Sequence, residues 1–304
     1  MSKPVILLGN GCRYRPDLVD YICSLGIPVC TTWMAADLVP EDSPVFCGRP
    51  GIFGQRAANI IQQKADAIYI FGARLDDGQT AFSLDNFAPN AKKYVYDVDV
   101  AELTKLPGGW IKYPQDITKM LTPAFRMPNI GWLQWCKDLY AHFRPELDGA
   151  DNTRFVDPFK FISVLSDYAQ PDDVIALGSS GFAPQSFLQA FQVKRGQRIT
   201  NLAAIGAMGA DIPTAIGVCL ASGKKRTICV TGDGGFMLNV QELEVVRRLD
   251  LPIQFFIFNN QGYGSIRTMQ DLRFEGRHVA CDANSGFTIP TLWEVADCFG
   301  LGYQ

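Results

Sequence analysis

With 304 residues, 47% of them apolar, and a formal charge of −3, the chain has material for two packed domains and shows no basic stripe. Nucleic acid and anionic membranes are therefore not expected as partners. Nine cysteines, odd in number and scattered without a C-x-x-C pair, read as reduced core thiols of a cytoplasmic protein. The only two histidines, His142 and His278, lie in unrelated contexts, so a histidine-based metal site or triad is not expected. No apolar run reaches the ~18 residues of a membrane helix. The opening residues are too few and too quickly polar for a signal peptide.

Pro4 to Leu8 is a short apolar strand ending in Gly9-Asn10-Gly11, followed by a helix over about Pro16 to Leu25 and a strand at Pro28 to Thr31. A helix over Gln55 to Lys64, a strand at Ala67 to Phe71 and another at Lys93 to Val98 continue the alternation. This is the pattern of an α/β, doubly wound, mainly parallel sheet. Thr122 to Asn129 reads as a linker, Trp132 to Phe143 as a helix bridging two domains, and Asp148 to Arg154 as a loose polar stretch. The expected division is a Rossmann-like domain over 1–125, linker and bridging helix over 126–155, and a second doubly wound domain over 156–304.

The second domain opens with a helix to Tyr168 and a strand from Asp173 to Leu177 that ends in Gly178-Ser179-Ser180-Gly181. Asn201 to Gly217 packs small residues around Met208 just before a helix, as close backbone approach requires. Thr227 to Val230 is a β-branched and apolar run that stops at Gly232-Asp233-Gly234-Gly235. A helix is expected to follow at once and to end at Asp250-Leu251-Pro252. Ile253 to Phe258 then reads as a strand buried on both faces, which delivers Asn259 and Asn260 to the same carboxyl edge as Asp233. Ligands of open α/β sheets bind at that edge, and glycine turns present free N–H groups to phosphate. A carboxylate and an amide oxygen beside them are hard ligands suited to a diphosphate held through Mg²⁺. Taken singly, Gly-Asp-Gly also reads as a strand-ending turn, Asn259-Asn260 as the start of a loop, and Met208 as a core filler.

Gly232-Asp233-Gly234, a helix, and a strand ending in Asn259-Asn260 together resemble the thiamine diphosphate motif of the acetolactate synthase, pyruvate decarboxylase and benzoylformate decarboxylase superfamily. The resemblance implies Asp233, the Asn260 side chain and the Gly262 carbonyl as ligands of Mg²⁺. It places Gly234, Gly235, Gly178, Ser179 and Ser180 against the diphosphate, and Gly206 and Met208 on the aminopyrimidine, with the Met208 side chain wedged beneath the bent cofactor. Tyr263 joins them, beside Ser265, Ile266 and Met269 as pocket residues. No residue of the chain is assigned a catalytic role.

The first part is similar to the central domain of acetolactate-synthase-like enzymes. The similarity runs through Gly51 to Asn59, Gly72-Ala73-Arg74-Leu75-Asp76-Asp77 and Asp97-Val98-Asp99. In flavin-containing members such stretches line an FAD. Arg49 and Phe53 depart from that pattern, so the expected protein is colourless or only partly yellow. The resemblance also implies a 2-oxo acid substrate, lyase or carboligase chemistry, and a homo-oligomer. It further implies a preceding pyrimidine-binding domain that supplies a glutamate, either in the same polypeptide or in a separate subunit. The chain is accordingly expected to be a portion of a longer enzyme and inactive when isolated. The competing reading is a non-catalytic nucleotide-binding or regulatory protein that uses the Rossmann-like domain.

Overall fold

The computed structural model describes residues 2–115, 129–145, 154–178, 181–202 and 205–304. Ser179 and Ser180 lie outside these residues, as does nearly all of the expected linker and of the polar stretch before Arg154. The chain forms two compact units, one comprising residues 1–168 and 188–195 and the other residues 169–187 and 196–304.

The first unit contains β1 (Pro4–Leu8), β2 (Val29–Thr31), β3 (Ala67–Phe71), β4 (Lys92–Asp97) and β5 (Ile111–Pro114). All pair in parallel, in the order β2-β1-β3-β4-β5. Alternation along each strand sends side chains to opposite faces, and both faces are covered. Val5 and Leu7 of β1 and Ile68 and Ile70 of β3 enter one buried cluster. Ile6 and Leu8 with Tyr69 and Phe71 enter the other. Registered neighbours also stack across the strands: Tyr69 on Tyr94 with ring centroids 4.8 Å apart, Phe71 on Tyr96 at 4.7 Å, and Tyr96 on Tyr113 at 4.5 Å. Such pairs contribute about 0.5–1.5 kcal/mol each beyond their burial.

The helix Ile130–His142 belongs to this unit. Asn129 caps it by accepting from the Trp132 N–H at 3.2 Å, and the Trp132 indole donates to the Pro4 carbonyl at 2.9 Å. Trp132 and Cys136 are thereby fixed in the core. Arg49 is fully buried here: it pairs with Glu41 at 3.1 Å, donates to the Leu188 carbonyl at 3.3 Å and lies over the Phe46 ring. Phe53 is half-exposed and stacks on Trp33.

The second unit contains β6 (Val174–Leu177), β7 (Arg198–Thr200), β8 (Thr227–Gly232) and β9 (Ile253–Phe258), all parallel, in the order β7-β6-β8-β9. Ile212, Ala215, Ile216 and Cys219 from the helix Asp211–Ala221 pack into its core. Both sheets thus have the α/β, parallel character expected from the sequence. Two expectations are corrected. Among the described residues β9 is an edge strand, paired to β8 alone, and its residues are half-buried or exposed rather than buried on both faces. The crossover between β8 and β9 is not one helix. It breaks into Asp233–Met237, a 3₁₀ turn at Val240–Glu242, and Leu243–Arg248, because Asn239 leaves helical geometry and its side chain donates to the Gly209 carbonyl at 2.7 Å. The cysteines are free thiols. Among the described residues no helix is long and apolar enough to cross a membrane.

Candidate functional site

β8 ends at Gly232, and Asp233 opens the following helix at the carboxyl edge of the sheet. Gly232 lies opposite Phe258 in the β8/β9 register, so Asn259 and Asn260 leave the sheet at the same edge. The chain then turns sharply. Asn259 Oδ1 accepts from the Gln261 N–H at 3.1 Å and from the Gln261 side-chain amide at 2.7 Å, with Gln261 at φ +62° and Gly262 at φ +155°. A Cβ at Gly262 would overlap the Cys281 carbonyl, so glycine is required for this turn to close on the loop behind it.

Asp233 is 1% exposed. Its Oδ1 accepts from the Gly234 N–H at 2.8 Å and its Oδ2 from the Gly262 N–H at 3.2 Å. Burial pushes its carboxyl pKa up, and the N–H groups of Gly234, Gly262, Gln261 and Asn260 pull it partly back. Among the described residues no basic side chain is ion-paired with it. A buried carboxylate met only by neutral dipoles is an environment that a cation would relieve. The Gly262 carbonyl oxygen lies 3.7 Å from where a Gly234 Cβ would stand, which brings it to the Asp233-Gly234 turn. Asn260 is exposed, and its side-chain amide folds over Gly264.

The neighbouring glycines have different roles. A Cβ at Gly234 would meet the Tyr263 ring at 2.5 Å, and Tyr263 in turn stacks on Phe287 at 4.1 Å. A Cβ at Gly235 would meet Asp211 Oδ2 at 2.5 Å. Gly232 has nothing within 4 Å of that position, so open space borders the turn there, and Gly206 likewise has nothing within 4 Å. Gly206 is at φ +67°, and Met208 is 40% exposed, which removes the reading of Met208 as core filler.

Asp211 is a residue the sequence reading passed over. It is 2% exposed and accepts from the Thr231 hydroxyl. It lies against both phosphate-type turns: its Oδ1 is 3.2 Å from where a Gly178 Cβ would stand, and its Oδ2 faces Gly235. The signal available in the sequence was an acid at the first position of a helix within the small-residue stretch.

Residues 1–122 match the family model "Thiamine pyrophosphate enzyme, central domain", and residues 179–303 match "Thiamine pyrophosphate enzyme, C-terminal TPP binding domain". The acetolactate synthase isozyme 2 large subunit of Escherichia coli K12 is 29% identical over 308 residues, covering 100% of this chain and 55% of its own. A probable acetolactate synthase large subunit of Methanococcus aeolicus is 27% identical, with 99% of this chain and 53% of its own covered. The chloroplastic acetolactate synthase 2 of Zea mays is 29% identical, at 88% and 43%. The chain thus spans about half the length of these relatives. Two parallel α/β units, each matched in order by its own family model, place the chain in the superfamily of thiamine-diphosphate-dependent enzymes that includes the acetolactate synthases.

Proposed function

We propose that the second unit holds thiamine diphosphate through Mg²⁺ at the carboxyl edge of β8 and β9, as part of a lyase or carboligase acting on a 2-oxo acid. The observation that carries this reading is the buried Asp233 carboxylate, tied to the Gly262 N–H and lacking a cationic partner among the described residues. The available donors are a carboxylate oxygen of Asp233, the Asn260 amide oxygen and the Gly262 carbonyl, all hard oxygen ligands of the kind Mg²⁺ takes together with phosphate oxygens and water. Gly178, Ser179, Ser180, Gly234 and Gly235 would present backbone or hydroxyl donors to the diphosphate, with the open space at Gly232 left for it. Gly206 and Met208 would meet the pyrimidine, and Tyr263 would border the site. Thiamine diphosphate held there would supply an electron sink for the electron pair left on the carbonyl carbon when the bond beside a 2-oxo acid carbonyl breaks. Asp211, held by Thr231 against Gly178 and Gly235, keeps the two turns at a fixed separation.

The reading as a nucleotide-binding regulator has less support. In the first unit the Gly11 N–H donates to the Gly72 carbonyl at 2.9 Å, and a methyl at Gly9 would overlap Gly72 and Ala73. The crevice between β1 and β3, where an open sheet of this order binds its ligand, is filled by backbone. Calorimetric titration of the chain with thiamine diphosphate plus Mg²⁺, beside NAD and FAD, tests the choice. Saturable, Mg²⁺-dependent binding of thiamine diphosphate alone is expected. Mass spectrometry of products from the full-length protein would identify the acyl donor and acceptor.

A further inference from the structure

Behind the Gly262 turn the chain folds back as a loop, Arg277 to Phe287, that the proposed cofactor site does not use for ligands. His278, Cys281 and Asp282 lie within five consecutive residues of this loop, and one ligand atom from each lies within 4.8 Å of the others. The two histidines were unpromising in sequence because they lie in unrelated contexts. The fold gives it different company.

The His278 Nε2 is hydrogen-bonded to Asp271 Oδ1 at 2.6 Å, from the helix Gly264–Arg273. That contact fixes the orientation of the ring and leaves Nδ1 for another partner. Cys281 is 1% exposed, with its N–H bound to Ser285 Oγ at 3.0 Å and its Sγ 3.4 Å from the same oxygen. Asp282 Oδ1 accepts from the Ser285 N–H at 3.0 Å and from the Ser285 hydroxyl at 2.8 Å, which leaves Oδ2 for another partner. Arg267 approaches Oδ2 only to 3.7 Å from an exposed position and can swing away.

A capped loop needs Asp282 and Ser285. It does not need a buried thiol and a histidine steadied by an outer carboxylate. We propose that His278, Cys281 and Asp282 form a site for one borderline-soft divalent cation of the Zn²⁺ class, with Asp271 as the positioning residue of the histidine. Imidazole, thiolate and carboxylate are the ligand types that select Zn²⁺ or Co²⁺ over Mg²⁺ or Ca²⁺, and three protein ligands leave a fourth position to water. Binding draws three groups now within 4.8 Å to metal-ligand distances and releases the thiol proton to solvent. The site is separate from Asp233 and Asn260 but mechanically joined to them. The Cys281 carbonyl accepts from the Tyr263 N–H at 2.8 Å and packs on Gly262, so an ion here braces the turn that holds Asp233.

The test is titration of the metal-stripped chain with Co²⁺ and with Zn²⁺ alone, followed by absorption and calorimetry. The expected result is one equivalent per chain and a thiolate-to-cobalt charge-transfer band in the near ultraviolet. Cys281→Ser should abolish the band. His278→Gln, at a partly exposed position, should weaken Zn²⁺ at least ten-fold, and Asp271→Asn roughly ten- to hundred-fold, as outer-carboxylate changes do. The thiolate-to-cobalt band should still form in Asp233→Asn, which supplies none of the three ligands, and this separates the site from the cofactor site. Near-ultraviolet circular dichroism checks that each variant is folded, and His278→Gln decides the matter if Cys281→Ser is not. Absence of stoichiometric binding by the parent chain, or a band that survives in Cys281→Ser, overturns the site.

Discussion

The Gly262 N–H donates to Oδ2 of Asp233 at 3.2 Å, joining the loop after β9 to the end of β8 across 29 residues of sequence. One carboxylate therefore has two duties: it holds the turn that carries Gly262, and it offers charge to a cation at the same edge. The duties separate under substitution. Asp233→Asn removes the charge and keeps an acceptor for only one of the two N–H groups, so Mg²⁺-dependent thiamine diphosphate binding should be lost with a smaller fall in melting temperature than alanine causes. Asp233→Ala leaves the Gly234 and Gly262 N–H groups without this partner and should also destabilise by about 1–3 kcal/mol. Asn260→Ala, at an exposed position, should weaken the cofactor without a loss of stability. Calorimetry and thermal unfolding measure both effects, and undiminished cofactor affinity in Asp233→Asn and Asn260→Ala would remove the metal assignment.

The same carboxylate makes a pH prediction. Burial raises its pKa above the ordinary 3.8, so the folded chain holds the proton more tightly than the unfolded chain does. The sign follows by linkage: its ionised form opposes folding above the raised value, and that opposition is relieved as pH falls through it toward the unfolded value. A cation and a proton compete for the group. Mg²⁺-dependent affinity should therefore fall on acidification at a higher pH than an ordinary aspartate would give. In Asp233→Asn any residual affinity should lack this step. Calorimetric titrations at descending pH measure the midpoint, and a midpoint at the ordinary aspartate value would contradict the burial argument.

Strand runs, the Gly-Asp-Gly to Asn-Asn spacing and the alternation of strands with helices were legible because each is a local pattern. What the sequence did not show depends on neighbours distant along the chain. Ile253–Phe258 is as apolar as a doubly buried strand, but which strands flank it is a matter of sheet order, and it stands at an edge. The break at Asn239 depends on the carbonyl of Gly209, 30 residues earlier. Asp211 sat unnoticed inside a small-residue stretch because its importance arises from Thr231 and Gly235, which the fold brings to it. His278 was set aside because the two histidines lie in unrelated contexts, whereas its companions are a cysteine and two aspartates.

Gly232 and Gly235 stand three positions apart and should respond to alanine in opposite ways. Gly232 has extended geometry at φ −92° and ψ 156°, with open space at its Cβ position. Its alanine variant should change stability by no more than about 0.5 kcal/mol, since the gain in chain stiffness offsets a poorer helix cap. The added methyl would instead occupy the space left for the diphosphate and reduce cofactor affinity. At Gly235 the methyl would press on Asp211 Oδ2, a buried group held by Thr231. That variant should lose about 1–3 kcal/mol despite the better helix propensity of alanine. Urea unfolding of the two variants, with and without cofactor, compares them; equal stability losses would mean that Asp211 gives way freely.

The purified protein should carry no stoichiometric flavin, and the reason lies in how β1 and β3 end. In the order β2-β1-β3-β4-β5 the switch point lies between β1 and β3, where a dinucleotide's pyrophosphate would seek free N–H groups. The Gly9 N–H already donates to the Phe71 carbonyl at 2.8 Å, and the Gly11 N–H to the Gly72 carbonyl at 2.9 Å. The Asn10 side chain accepts from Arg13 at 2.8 Å, and Arg13 is itself paired with Asp37. Arg49, one of the two residues that depart from the flavin-containing pattern, is likewise consumed: it is buried on Glu41, with Gln55 accepting from its N–H at 2.8 Å. Admitting a pyrophosphate would draw these N–H groups away from their carbonyls, at about 1–3 kcal/mol for each carbonyl left unsatisfied. An absorption spectrum of the protein as isolated should therefore lack the flavin bands, and added FAD should give no saturable change in flavin fluorescence. One flavin per chain would show that the Gly9 and Gly72 loops part to admit it.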